Sequence, residues 1–160
     1  MYTFSVITIS DRGASGERAV DASGEWIKGY LRGNGFGLRE YFIIPDEFDL
    51  IAESIARLAD GSGSDLIVTT GGTGFSKRDV TPEAARSVIE REAPGVAEAI
   101  RFHSLTFTKN AMLSRGICGI RGNSLILTLP GSPKAVAESL EYVLEPLKHG
   151  LDVLKGEGNE

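Results

Sequence analysis

Leu66-Ile67-Val68-Thr69-Thr70-Gly71-Gly72-Thr73-Gly74 is a short, continuous apolar run that empties into a glycine loop. A strand exposed on one face alternates apolar with polar residues. Leu66-Ile67-Val68 does not alternate, which is the pattern of a strand covered on both faces, as strands of parallel sheets are. A central parallel strand feeding a glycine loop is therefore the expectation here, and the flanking sequence has to supply the helices that cover it.

On the N-terminal side, Tyr2 to Ser10 carries β-branched and aromatic residues (Thr3, Phe4, Val6, Ile7, Thr8, Ile9) and stops at the polar run Asp11-Arg12-Gly13-Ala14-Ser15-Gly16. This predicts a first strand and a glycine-bearing loop. Ser23 is placed to cap a helix through Leu31, with Trp26, Ile27, Tyr30 and Leu31 on its apolar side, and Gly33 to Gly37 ends it. Tyr41-Phe42-Ile43-Ile44 is a second strand. Phe48, Ile51, Ile55 and Leu58 then recur at three- and four-residue spacing, the mark of an amphipathic helix from about Glu47 to Asp60 that Gly61-Ser62-Gly63 terminates.

On the C-terminal side, Thr81-Pro82-Glu83 combines a hydroxyl cap, proline at the first helical position and an acid in the first turn, which predicts a helix to about Glu92. Pro94-Gly95 interrupts, a second helix follows from Val96 to Leu105, and Leu113 to Gly122 is open between strand and loop. Ser124 to Leu129 is a further strand, after which Ser132-Pro133 repeats the cap-plus-proline pattern. Val136, Leu140, Val143 and Leu147 trace the buried stripe of a closing helix, in which Pro146 lacks the amide that would bond back to Tyr142 and so predicts a kink or a tightened end. Strands alternating with helices throughout predict an α/β fold. Its form is a three-layer sandwich with a mostly parallel central sheet and helices on both faces, joined by right-handed crossovers. One domain over residues 1–155 with a short polar tail, 156–160, is the expected organisation.

Composition narrows the function classes. A chain of 160 residues buries roughly two-thirds of its unfolded surface around one core. Its 41% hydrophobic and 24% charged residues are ordinary globular values that argue against global disorder. The net charge of -5 argues against nucleic acid or an anionic membrane as the main partner, since both reward clustered Lys and Arg, so any phosphate must be held locally. No stretch reaches the roughly 18 to 20 apolar residues of a membrane span, and Met1-Tyr2-Thr3-Phe4 runs into a strand without a charged leader, so the chain is expected to be cytoplasmic. Cys118 stands alone, which excludes an internal disulfide framework and a CxxC metal site, and His103 and His149 show no ligand spacing.

In open α/β sheets ligands bind beyond the carboxyl ends of the strands. The strand exits are Ser10-Asp11-Arg12, Thr70-Gly71-Gly72-Thr73-Gly74 and Pro130-Gly131-Ser132-Pro133. Two of them lead into helix N-termini, where free N–H groups and the helix dipole attract phosphate. The glycine loop is neither a Walker A motif nor a GxGxxG fingerprint: Lys77 stands where the third glycine should be, and no glycine precedes a Lys-Ser/Thr pair. Alone it reads equally as a tight turn. Asp79 lies just before the Thr81-Pro82 helix start and Asp46 just after the Ile44-Pro45 exit; on neighbouring parallel strands the two carboxylates would reach one edge of the sheet. Beside a phosphate loop such a pair suits Mg²⁺, which takes few protein oxygens and shares the rest with phosphates and water. Singly, Asp79 is equally a helix cap and Asp46 a turn residue. Arg12, Lys77, Arg78, Arg115 and Lys134 are the basic groups near this edge, each equally a solvated surface charge.

Ser10-Asp11-Arg12, Ile44-Pro45-Asp46-Glu47, Thr69-Thr70-Gly71-Gly72-Thr73-Gly74, Arg78-Asp79-Val80-Thr81-Pro82-Glu83-Ala84, Leu113-Ser114-Arg115 and Leu129-Pro130-Gly131-Ser132-Pro133-Lys134-Ala135 together resemble the ordered signature of the MogA/MoaB family, shared with the pterin-binding G domain of gephyrin and its plant counterpart. Each motif is weak by itself; all of them in order, over nearly the whole chain, are specific. The resemblance implies the molybdopterin-binding fold and a nucleotidyltransferase of molybdenum-cofactor biosynthesis that moves AMP from Mg-ATP to the terminal phosphate of molybdopterin, with release of pyrophosphate. It implies that Asp46 and Asp79 match the family's functionally important aspartates and organise Mg²⁺ and the triphosphate. It also implies a homotrimer or dimer of trimers, and a hand-off to a molybdenum-insertion step. Ser114 and Ser132 could donate to the pterin or a phosphate, although for Ser132 the plain N-cap is the favoured reading. The few residues after the final helix look closer to MoaB than to MogA, and MoaB-type members are not all catalysts, so the alternative is a non-catalytic molybdopterin-binding protein of the same pathway.

Overall fold

The computed structural model describes residues 1–158. Six strands, β1 (Thr3–Ile9), β2 (Gly37–Ile44), β3 (Leu66–Thr70), β4 (Arg91–Glu92), β5 (Cys118–Arg121) and β6 (Ser124–Leu129), form one sheet in the order β2-β1-β3-β6-β5-β4. β2, β1, β3 and β6 are parallel, and β5 and β4 add an antiparallel edge. Among the described residues six helices accompany them: α1 (Asp11–Ser15), α2 (Ala22–Gly33), α3 (Phe48–Asp60), α4 (Thr81–Val88), α5 (Pro94–Ser104) and α6 (Pro133–Leu154), with a 3₁₀ turn at Lys109–Leu113.

The two-sided burial expected of Leu66-Ile67-Val68 is present, since every residue of β3 is buried. Successive strand residues point to opposite faces. Leu66 and Val68 therefore join Phe4, Val6, Leu125 and Leu127 in one core, covered by Ile27 and Leu31 of α2 and by Val136, Leu140, Val143 and Leu147 of α6. Ile67 joins Ile7, Ile9 and Ile126 in the other, covered by Ile51, Ile55 and Leu58 of α3 and by Ala84 and Ala85 of α4. The three layers follow from this division. Among the described residues no helix is long and apolar enough to cross a membrane.

Register brings the strand exits together. Thr70 of β3 lies level with Thr8 of β1 on one side and Leu129 of β6 on the other, and Ile9 lies level with Ile44 of β2. The chain therefore leaves all four parallel strands at one edge. β2 and β3 are not neighbours, however: β1 lies between them, so the segments carrying Asp46 and Asp79 converge across it.

The structure differs from the sequence expectations at several local points. Asp11–Ser15 is a helical turn, not a loop: the Ser10 hydroxyl accepts from Gly13 N at 3.0 Å and Gly16, at φ 84°, closes it. α2 is capped by Asp21, which accepts from Gly24 N at 3.0 Å, while the Ser23 hydroxyl donates to the Gly131 carbonyl at 2.6 Å. Val80, not Thr81, stands at the N-cap of α4. That helix stops at Val88 instead of continuing to Glu92, because Arg91 and Glu92 pair with Ile120 and Gly119 as the sheet edge. Ile89 packs so closely on Gly119 that a Cβ there would meet its Cγ2 at 2.5 Å. The open stretch Leu113 to Gly122 resolves into the end of the 3₁₀ turn, a loop and β5. α6 is capped as expected by Ser132 and remains one continuous helix through Pro146. Of the expected polar tail, residues 159–160 lie outside the described residues.

Ile67 is fully buried at the centre of the second core. Ile67→Ala is expected to cost about 2–5 kcal/mol, the usual range for emptying such a position, read as a lower urea midpoint at an unchanged m-value.

Candidate active site

The glycine loop is held by backbone contacts at the ends of β1, β3 and β6. Gly71 N donates to the Leu129 carbonyl at 3.0 Å and the Thr70 hydroxyl donates to the Pro130 carbonyl at 2.7 Å. Gly71 adopts φ 101°, and a Cβ there would collide with the Ile9 carbonyl oxygen. Gly72 adopts φ 72°; its Cβ would strike the Thr81 hydroxyl and lie 3.1 Å from Asp46 Oδ1. Both positions need glycine for conformation and for space. The tight turn, one of the two readings that the sequence left open, is present.

Asp46 and Asp79 stand on either side of this loop. An Asp79 carboxylate oxygen lies 2.9 Å from where a Cβ on Gly74 would be, and accepts from Ser76 N at 3.0 Å. Asp46 exchanges bonds with Asp11: its carboxylate accepts from Asp11 N, and its own N–H donates to the Asp11 carboxylate, each at 3.0 Å. Arg78 grips that same Asp11 carboxylate through Nε at 3.0 Å and Nη2 at 2.9 Å. The Asp11 carboxyl is held below its ordinary range, chiefly by Arg78. Asp46 shifts the other way: burial pushes its carboxyl up, with the negative charges of Asp11 and Asp79 adding to the effect. A carboxylate with raised affinity for positive charge, facing a second carboxylate across amide donors, fits a divalent ion that completes its shell on phosphate. Among the described residues no group of three or more His, Cys, Asp or Glu could hold a metal, so an all-protein cage is not formed.

Two hollows open on this edge. The larger, about 540 Å³, is lined by Gly71 to Gly74, Asp79, Ser114, Pro130 and residues of α5 and α6. The smaller, about 390 Å³, is lined by Ser10, Thr70, Pro133, Arg18 and Asp21 among others. Gly71, Gly131 and Ser132 line both, forming the ridge between them.

The remaining expected site residues are dispersed. Asp46, Asp11 and Arg115 line neither hollow. Arg115 instead braces the loop from behind, donating to the Gly74 carbonyl at 2.9 Å and the Asp79 carbonyl at 2.7 Å and pairing with Glu83. Arg12 and Lys134 point away, with side chains 72% and 84% exposed and only long pairs to Glu17 and Glu138. Lys77 is exposed and lines neither hollow.

Sequence reasoning missed Arg18, Asp21 and Arg101, which do line the hollows. Asp21 accepts from the Thr8 and Tyr41 hydroxyls, each at 2.5 Å, as well as capping α2. Burial first, then this bond, pushes the Tyr41 hydroxyl well above its ordinary range. Asp21 directly precedes the helix it caps, and that position is the signal by which it could have been found in place of Ser23.

The family model described as "Probable molybdopterin binding domain" matches residues 5–149. The chain is 41% identical over 153 residues to the molybdopterin adenylyltransferase of Helicobacter pylori (strain J99), covering 94% of this chain and 86% of that one. It is 43% identical over 154 residues to the molybdenum cofactor synthesis protein cinnamon of Drosophila melanogaster, of which it spans only 25%. Among solved structures, the molybdopterin biosynthesis enzyme MoaB of Thermus thermophilus superposes with a TM-score of 0.92 at 45% identity, with 100% of each chain covered. The matched region takes in five strands whole, all of β1 but its first two residues, and the glycine loop with its flanking aspartates, and on that ground the chain belongs to the molybdopterin-binding family.

Proposed function

We infer that this protein is a molybdopterin adenylyltransferase, transferring AMP from ATP to the terminal phosphate of molybdopterin with release of pyrophosphate. The observation that carries this reading is the shared ridge. Two hollows meet at Gly71, Gly131 and Ser132, so two phosphorylated substrates seated one on each side bring their phosphates together beside the glycine-loop amides and Asp79. The identity to the Helicobacter pylori adenylyltransferase over most of both chains supports it.

The reaction joins an oxygen of the pterin's terminal phosphate to the α-phosphorus of ATP and breaks the α–β bridging bond, pyrophosphate leaving with the electron pair. Phosphoryl-group chemistry of this kind needs positioning and charge neutralisation more than a covalent nucleophile. The loop amides supply donors to the phosphate oxygens. Ser132 stays partly committed to capping α6, its hydroxyl 3.5 Å from Ala135 N, and its place on the ridge also lets it meet a phosphate. Asp46 and Asp79 are the residues that would hold Mg²⁺, which would supply the charge neutralisation that the few cations at this edge do not. The exposed Phe102, Phe107, Met112 and Tyr142 leave apolar surface of the kind that marks interfaces, in keeping with a homotrimer or dimer of trimers in the cytoplasm that passes its product to a molybdenum-insertion enzyme.

With Mg-ATP and molybdopterin, Asp79→Asn is expected to lower pyrophosphate release by about 10²–10³-fold, the range for losing one preorganised electrostatic group, with an unchanged circular dichroism spectrum. Wild-type protein that binds molybdopterin without releasing pyrophosphate would instead be the non-catalytic family member.

Asp46 gives a pH prediction. Its folded pKa lies above the unfolded value, so the native state binds the proton more tightly; the stability this group contributes is complete below the unfolded pKa and is lost as pH rises through the folded one. At neutral pH the ionised carboxylate is therefore a burden on the fold. Asp46→Asn, which keeps an acceptor for Asp11 N, is expected to equal or exceed the wild-type Tm at pH 7 and to lose that relative advantage near pH 4, while pyrophosphate release falls. Thermal scans of both proteins at the two pH values check the sign.

A further inference from the structure

We propose that Arg101 is the phosphate-binding cation of the larger hollow. Within the described residues it is the one Lys or Arg that lines this hollow, which the glycine loop also lines. The neighbouring cations are already committed or point elsewhere. Arg78 is closed on Asp11, Arg115 is spent on the Gly74 and Asp79 carbonyls and on Glu83, and Lys134 is splayed into solvent.

Arg101 is half-buried on α5 and held by one nitrogen. Nη1 donates to the Gly116 carbonyl at 2.7 Å and, at 3.5 Å, to that of Ser114. Among the described residues it makes no ion pair, although Asp79 and Glu138 line the same hollow. A guanidinium carries five N–H donors in a fixed fork. Anchoring it through Nη1 fixes the plane and leaves donors for a phosphate, the geometry in which arginine exceeds lysine. The anchor also joins two walls. The loop that holds Arg101 continues into Arg115, whose N–H donates to the Thr73 carbonyl at 2.9 Å, so the cation and the glycine-loop amides sit on one braced unit. A preset cation facing preset amides is an anion clamp, and the anion is a phosphate ester or polyphosphate of a substrate; this assignment rests on the adenylyl-transfer reading only for which substrate that is.

The test uses inorganic pyrophosphate, titrated calorimetrically with Mg²⁺ into the intact protein, together with KM values for ATP and molybdopterin. Arg101→Gln is expected to weaken pyrophosphate binding by about ten- to a hundredfold, the range for a charge-assisted hydrogen bond, and Arg101→Lys to restore part of it. A KM rise confined to ATP assigns the clamp to the nucleotide polyphosphate; a rise confined to molybdopterin assigns it to the pterin phosphate. Both support the proposal. Pyrophosphate affinity within twofold of wild type in an Arg101→Gln protein of unchanged Tm overturns it. So does a parallel loss of Tm and affinity in Gln and Lys variants alike, which would make Arg101 a staple of the 114–116 loop. A wild-type protein that binds pyrophosphate through Arg101 but turns over no ATP would refute adenylyl transfer and leave the clamp standing.

Discussion

The site depends on the close approach of the Gly71 backbone to the Ile9 carbonyl. Parallel strands deliver their ends to one edge, but they deliver backbone, and a side chain between the exits would keep them apart. At Gly71 the chain turns through φ 101° against Ile9 while its N–H takes the Leu129 carbonyl, so the exits of β1, β3 and β6 are sewn together without a side chain in the seam. The ridge and the hollows on either side of it are consequences of that contact.

Charge at this edge is arranged in a chain and not as a patch. Arg78 neutralises Asp11, Asp11 positions the Asp46 backbone, and Asp46 remains facing the loop with its carboxyl pushed toward protonation by burial. Such a group is costly unless a cation arrives, which is the role the proposed reading gives to a metal ion. On the proposed reading, a chain with net charge -5 holds polyanions by concentrating a few donors in one place instead of spreading basic surface.

The layer architecture was legible because it rests on periodicity. Leu66-Ile67-Val68 announced two-sided burial, and the three- and four-residue spacing of Phe48 to Leu58 announced α3. What could not be read was whatever depends on partners distant in sequence. α4 ends early because Arg91 and Glu92 are claimed by β5, and nothing within residues 81–92 says so. Asp11 to Ser15 looked like a loop because Gly13 and Gly16 are poor helix formers; the Ser10 cap and the left-handed Gly16 make the single turn. For the site, the glycine loop with Asp79 and the Pro130–Pro133 turn were singled out by their position after strands, and Ser114 by the family resemblance; all of these but Pro133 line the larger hollow. Arg115, also singled out by the resemblance, braces the loop through the Gly74 and Asp79 carbonyls and lines neither hollow. Arg101 was passed over because a lone arginine on an amphipathic helix has no local signal.

The fit of Ile89 against Gly119 has an evolutionary corollary. Their shared volume leaves no room for a Cβ at 119 while isoleucine stands at 89, so the positions are free to drift only in concert. Shrinking Ile89 would admit a larger residue into β5, but it would also slacken the clasp that peels the chain out of α4. Relatives that trade bulk between these sites should then differ in where that helix unwinds.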